Sequence, residues 1–199
     1  MRRGAFYLLW LGFFLLPGFC FSNNICQLNL QELIAREQPF FGQYTQARIR
    51  VAGIVVAMKA NKVLLARRVG ASANERGTWG LLGGRMEERD RDLVVATSRE
   101  FKEEASLEIH GSRFEYLGRI SYHGGDGYFY ATYVFLLRLS EAEKPQLSDS
   151  EKQKLDRLEF FEPENLPPHL FSTNEEVLGF LAKHGWQKPA DELLGKKPL

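Results

Sequence analysis

The sequence predicts one α/β domain, an α+β sandwich in which helices flank a mixed β-sheet. Two hairpin-like stretches rich in β-branched and aromatic residues bracket an amphipathic helical stretch, and a second helical stretch lies near the C-terminus. The 199 residues, 44% of them hydrophobic, suffice for one buried core but not for two large domains.

Residues 1–22 read as a secretory signal peptide. Arg2 and Arg3 precede an apolar run from Phe6 to Leu16, and the small residues Gly18, Cys20 and Ser22 suit cleavage. That run is shorter than the ~20 residues a bilayer span needs. The expectation is export to a periplasm or the outside of the cell; the alternative is an uncleaved anchor that keeps the domain at a membrane. Cys20 and Cys26 are the only cysteines, so no disulfide framework is expected.

Residues 23–47 form an expected helical extension, with Leu28, Leu30, Leu33 and Ile34 at helical spacing and Pro39 as its end. Arg48 to Met58 and Val63 to Ala66 read as a hairpin about Ala60-Asn61-Lys62. A polar loop, Gly70 to Gly77, leads to a short strand, Thr78 to Leu82, which Gly83-Gly84 is expected to break. An acidic loop follows to Asp90. The next helix, Asp92 to Ser106, places Leu93, Val94, Ala96, Thr97 and Phe101 on its apolar side, with Asp92 as its cap. Phe114 to Tyr122 and Tyr128 to Leu139 form an aromatic hairpin around Gly124-Gly125-Asp126-Gly127. After a charged loop, Leu155 to Phe161 reads as a strand, Thr173 to His184 as a helix and 187–199 as a tail.

Twenty-six basic and twenty-five acidic residues give a net charge of +1, which supplies no basic footprint for nucleic acid. The four histidines, at 110, 123, 169 and 184, lack metal-ligand spacing. The charge is informative only locally, at Glu100, Glu103 and Glu104. Glu103 and Glu104 each fall within about 60° of Glu100 around a helix axis, so three carboxylates project from one side. Like charges so placed weaken a helix by a few tenths of a kcal/mol per pair (about 0.2–0.5) unless a cation relieves them. Oxygen donors select Mg2+, with Mn2+ second. Gly83-Gly84, where backbone can approach a ligand closely, would let a carbonyl join the carboxylates. The competing reading is a solvated acidic face balanced by Arg99 and Lys102.

Gly83-Gly84-Arg85-Met86-Glu87 followed by Arg99-Glu100-Phe101-Lys102-Glu103-Glu104-Ala105-Ser106-Leu107 resembles the signature box of the Nudix hydrolases. Thr78 to Gly84 and Phe160 to Pro167 resemble the flanking strands, so the resemblance runs from Arg48 to His184 and places the domain at 48–186. The chain departs from the family pattern in three ways. Ser106 stands where the family has glycine, Arg89-Asp90 stands for a Gly-Glu pair, and one additional residue lies between Gly84 and Arg99.

The resemblance implies a Nudix-type hydrolase of phosphoric anhydride bonds with an α/β/α sandwich and Mg2+ as cofactor. Its metal ligands would be Gly84, Glu100, Glu103 and Glu104. Glu100 would be a ligand or the group that takes a proton from water, and Arg99 would orient a glutamate by pairing. Glu87 or Asp90 would support the loop or an outer metal, and Glu151, Asp156 or Glu159 would add a further carboxylate. The implied partner is a small nucleoside diphosphate derivative: ADP-ribose-like, a dinucleotide or a modified nucleoside triphosphate. The alternative, motivated by Ser106 and the altered loop, is a nucleotide-sensing module of the same fold with weak or no turnover. Arg67 and Arg68 read either as phosphate contacts or as a solvated strand edge. Trp79, Tyr122, Tyr128 and Tyr130 read either as base-stacking rings or as sheet surface.

Overall fold

A computed structural model describes residues 23–41, 48–69, 76–124 and 126–184. The expected leader (1–22) and tail (187–199) lie outside the described residues. Among the described residues no helix is long and apolar enough to cross a membrane.

Helices α1 (Asn23–Cys26) and α2 (Leu30–Phe41) precede strands β1 (Ile49–Lys59), β2 (Lys62–Arg68), β3 (Trp79–Gly80) and β4 (Leu82–Arg85). Then come α3 (Leu93–Ala105), β5 (Glu115–His123), β6 (Phe129–Leu139), β7 (Leu155–Phe161) and α4 (Ser172–His184). The strands form one mixed sheet in the order β3-β2-β1-β6-β5, with β4 also on β1 and β7 also on β2. β1 and β6 run parallel in unbroken register from Ile49↔Phe129 to Lys59↔Leu139. Both are buried on both faces, which is why their sequences are continuous apolar runs and not alternating ones.

Two cores result, one on each face. On one, α3 contributes Leu93, Ala96, Phe101 and Ala105, and α2 contributes Leu33, against Val51, Val55, Tyr133 and Phe135. On the other, Val177, Leu178 and Leu181 of α4 cover Ile54, Val56, Val134 and Leu136. The sandwich expected from the sequence is therefore the one observed.

The β1–β2 hairpin is paired only next to its turn, at Met58↔Val63 and Lys59↔Lys62. Further along, β4 takes that edge of β1, pairing Ala52↔Arg85 through Val55↔Leu82. Gly83-Gly84 thus lies inside a strand, contrary to the expected break. Both glycines are required by close approach: a Cβ on Gly83, at φ +132°, would stand 2.2 Å from the Gly53 carbonyl oxygen. The interruption falls instead at Leu81, whose N–H donates to Asn174 Oδ1 of α4 at 2.8 Å.

Helix α2 runs through Pro39 to Phe41, whereas the sequence pattern ended it at the proline. Pro39 is exposed in the last turn, where the backbone bond it forfeits and the crowding of its ring against the preceding turn disturb only the end of the helix. Tertiary contacts hold the helix. Glu37 of α2 is fully buried and accepts hydrogen bonds from Tyr133 Oη at 2.7 Å and from the Arg119 guanidinium. Burial, then the Glu37 charge, holds the Tyr133 phenol well above its ordinary range.

Helix α3 begins at its expected cap, where the Asp92 side chain accepts from Val95 N at 2.9 Å. It packs closely on β1, since a Cβ on Gly53 would meet Thr97 Oγ1 at 2.1 Å. It ends at Ser106, in the left-handed conformation (φ 50°, ψ 30°) with its N–H donating to Lys102 O at 3.0 Å. A side chain there is strained and a glycine is not. Ser106→Gly is therefore expected to raise stability by about 0.5–1 kcal/mol, after allowance for the greater freedom of the unfolded glycine chain. An unchanged or lower urea midpoint would count against the cap assignment.

Candidate active site

The site is built where the last two turns of α3 lie over β4. Arg99 organises it. Its Nε and Nη2 form paired hydrogen bonds of 2.9 Å to the two carboxylate oxygens of Asp90. Nη1 donates to Glu100 Oε1 at 2.9 Å and to Glu103 Oε2 at 3.1 Å, and Nη2 also reaches the Arg85 carbonyl at 3.2 Å. One guanidinium thus ties the loop, strand β4 and two of the three glutamates together, and these partners hold it protonated.

Asp90 is buried, and its carboxylate also accepts from the Glu87 N–H at 2.8 Å. Burial opposes its ionisation, but the bonds from Arg99 and the Glu87 amide prevail and keep the carboxyl below its usual range. The Glu87 side chain, by contrast, is exposed and pairs with Arg89 at 2.8 Å. Of the two loop acids singled out in the sequence, the structure brings Asp90 to the glutamates through Arg99 and leaves Glu87 outside.

The three glutamates do not share one environment. Glu103 and Glu104 stand about 100° apart on the helix, so one turns outward and the other inward. The Glu103 side chain keeps 43% exposure. Glu104 Oε2 accepts from Gly83 N at 2.7 Å, and removal from water, with Glu100 and Glu151 nearby, pushes its carboxyl up to about 8 against the pull of that amide. Burial likewise raises Glu100, opposed by Arg99. Gly84 is where Glu100 fits: a Cβ there would lie 2.3 Å from Glu100 Oε2.

Among the described residues no three His, Cys, Asp or Glu side chains converge as metal ligands do. The expected cup of Gly84, Glu100, Glu103 and Glu104 is therefore not closed, because Arg99 Nη1 stands between Glu100 and Glu103 while Glu104 is drawn to Gly83. The donor set still suits a hard divalent cation. Glu100 and Glu104 are carboxylates that burial disfavours as anions, packed against the glycines of β4 with Glu151 nearby, and a cation relieves that cost.

Of the three acids between which the sequence could not choose, Glu151 is the one within electrostatic reach of Glu104. It is buried in the 3-10 turn Asp149–Glu151, a segment bound to the end of α3 by Gln146 N→Ala105 O at 2.8 Å and Ser148 N→Glu104 O at 3.3 Å. Lys154 Nζ lies 2.9 Å from its Oε2. Asp156 is taken by Arg67, and Glu159 faces Arg157 at 4.0 Å. Arg68 contributes positive charge at Glu104 and lies over the Phe171 ring, 5.2 Å from its centroid.

Tyr122 and Tyr130 stack on each other at 5.0 Å, and the Arg50 guanidinium lies 3.5 Å from the centroid of Tyr128. By alternation with Val134, Tyr130 belongs to the α4 side of the sheet, away from the α3 glutamates. Trp79 is buried edge-on against Phe161 at 4.9 Å.

A family model described as the NUDIX domain matches residues 47–180. Solved structures of other proteins share the fold. A MutT Nudix hydrolase from Burkholderia pseudomallei aligns with a TM-score of 0.57 at 23% identity over 66% of this chain and 96% of that one. A MutT/Nudix family protein from Enterococcus faecalis gives 0.56 at 19% identity over 82% and 73%. A bifunctional NMN adenylyltransferase/ADP ribose pyrophosphatase from Francisella tularensis, complexed with AMP and a manganese ion, gives 0.52 at 13% identity over 77% and 46%. No curated protein matches.

Asp90→Asn keeps the shape and removes the charge that Arg99 faces. It should cost about 2–3 kcal/mol at neutral pH, somewhat below a fully buried pair because Arg99 keeps other partners. The Asp90 carboxyl is depressed in the folded state, so its stabilisation is complete above the ordinary carboxylate range and is lost as the pH falls below about 4. Urea titrations at pH 7 and pH 3 should therefore show the gap between wild type and variant closing in acid. A gap that stays constant would sink the assignment.

Proposed function

The chain belongs to the Nudix family and is a Nudix-type hydrolase, and from that premise we propose that it is a magnesium-dependent pyrophosphohydrolase. Its substrate would be a nucleoside diphosphate linked to a further group: ADP-ribose-like, a dinucleotide, or a modified nucleoside triphosphate. The observation that carries this reading is the last part of α3, where Glu100 and Glu104 face the glycine strand Gly83-Gly84, Glu103 lies at its outer rim, and Arg99 spans Glu100 and Glu103.

In the reaction a water oxygen joins one phosphorus and the anhydride P–O bond breaks, leaving a nucleoside monophosphate and a second phosphorylated fragment. Mg2+, when bound, neutralises phosphate oxygens and acidifies water. Glu103 and Glu104 would hold it, with the Gly84 carbonyl beside them. Glu100 is the group suited to take a proton from the attacking water, because burial raises its carboxyl and Arg99 Nη1 fixes its Oε1. Arg99 acts through the glutamates as a positioning residue, itself anchored by Asp90.

The departures from the family pattern do not favour the sensing alternative. Ser106 adopts the helix-ending conformation that glycine would supply, and Asp90 still binds Arg99 through both oxygens. An exported location, inferred from Arg2, Arg3 and the apolar run, is part of the same proposal, and a mature N-terminus near Phe21 or Asn23 would support it.

The test is monophosphate release from ADP-ribose, NADH, dinucleoside polyphosphates and modified triphosphates with Mg2+ or Mn2+. Glu103→Gln and Glu104→Gln should each lower turnover on the best substrate by about 100-fold or more with unchanged circular dichroism. Tight nucleotide binding with no turnover across the panel would replace this reading with the sensor.

A further inference from the structure

We propose that Lys154 is a tethered counter-cation of the acidic site, which holds Glu151 until a divalent cation displaces it and so sets how tightly that cation binds. The inference rests on the metal-dependent reading above.

Lys154 Nζ lies 2.9 Å from Glu151 Oε2 and 3.1 Å from Oε1. The backbone fixes where its side chain starts: Lys154 N donates to Glu151 O at 2.8 Å, and Lys154 O accepts from Val69 N at 2.8 Å. Its ammonium is held charged first by Glu151, and Glu100 and Glu104 add to the effect, so it sits in the field of the α3 acids. The same turn contains an ion pair of identical spacing, Lys152–Asp149 at 2.5 Å, in which the acid is 92% exposed. Glu151 is only 12% exposed while Lys154 keeps 71%. A buried carboxylate is therefore paired with a largely exposed cation, whereas both members of Lys152–Asp149 are solvated.

A lysine so placed offsets part of the repulsion among Glu100, Glu104 and Glu151. A doubly charged ion at the same carboxylates makes it redundant, and its long exposed stem lets it swing into solvent at little cost. Each event of metal binding then includes the rupture of the Lys154–Glu151 pair, and deleting the lysine removes that competition.

The test is Mn2+ affinity without substrate, read from the electron paramagnetic resonance signal of free Mn2+. Lys154→Met should tighten Kd about 3- to 5-fold, the factor that corresponds to breaking one partly exposed ion pair. Lys154→Arg should stay near wild type, and Lys152→Met, which removes the same charge from the solvated pair with Asp149, should change Kd by less than about half that factor. In a Glu151→Gln background the effect of Lys154→Met should shrink, and melting curves of the metal-free proteins establish that each variant is folded. Equal tightening in Lys154→Met and Lys152→Met, or an unchanged or weaker Kd in Lys154→Met, overturns the proposal and leaves the hydrolase reading standing. A wild type that binds no Mn2+ overturns both.

Discussion

Everything at the acidic end of α3 depends on the paired hydrogen bonds between Arg99 and Asp90. Three glutamates close together on a helix repel one another, and Arg99 supplies an offsetting cation from the helix itself. A free arginine at that position would be drawn to Glu103 and solvent. Anchored by Asp90 and the Arg85 carbonyl, its remaining donor is aimed at Glu100 and Glu103. The loop from β4 to α3 is consequently part of the site through Asp90, while Glu87 stays exposed and Arg89 bridges it to Glu103, which lies 4.0 Å away.

The sheet makes that arrangement possible from below. Because β1 and β2 part after their turn, β4 can enter the opening and run antiparallel to β1 directly under α3. Only glycine allows both close approaches there: Gly83 to the β1 backbone and Gly84 to the Glu100 carboxylate. Gly53 on β1 extends the same logic by letting Thr97 seat the helix on the sheet. Three glycines thus set the depth at which α3 lies, and that depth determines how far Glu100 and Glu104 are taken out of water.

What could be read from the sequence follows from how local each signal is. Helix α3, its Asp92 cap and its acidic side were legible because periodicity, capping and charge spacing all act within four residues. Gly83-Gly84 was misread as a break because its strand exists only through pairing with β1, some thirty residues earlier in the chain. Pro39 was misread as a helix end for a related reason: the helix is held by Leu33 and by Glu37 with Tyr133 and Arg119, partners that lie far away in sequence. Glu151, Asp156 and Glu159 looked equivalent along the chain. They separate only when the segment before Glu151 pairs with the end carbonyls of α3 and when β7 places Asp156 beside Arg67.

The departures from the family box become intelligible as a matched set. Asp90 is one methylene shorter than glutamate, so its backbone must come closer to Arg99 for the same two-oxygen contact. The turn from Glu87 to Asp90 achieves this by closing on itself, Asp90 N donating to Glu87 O at 3.0 Å while Glu87 N donates back to the Asp90 carboxylate at 2.8 Å. The additional residue between Gly84 and Arg99 lies in the stretch that leads through the Asp92 cap into α3, and lengthening a surface loop by one residue costs little. Ser106 is different in kind. Its left-handed backbone is strained for a serine, and that strain falls on stability at the end of α3, two residues beyond Glu104 and outside the contacts that orient the carboxylates.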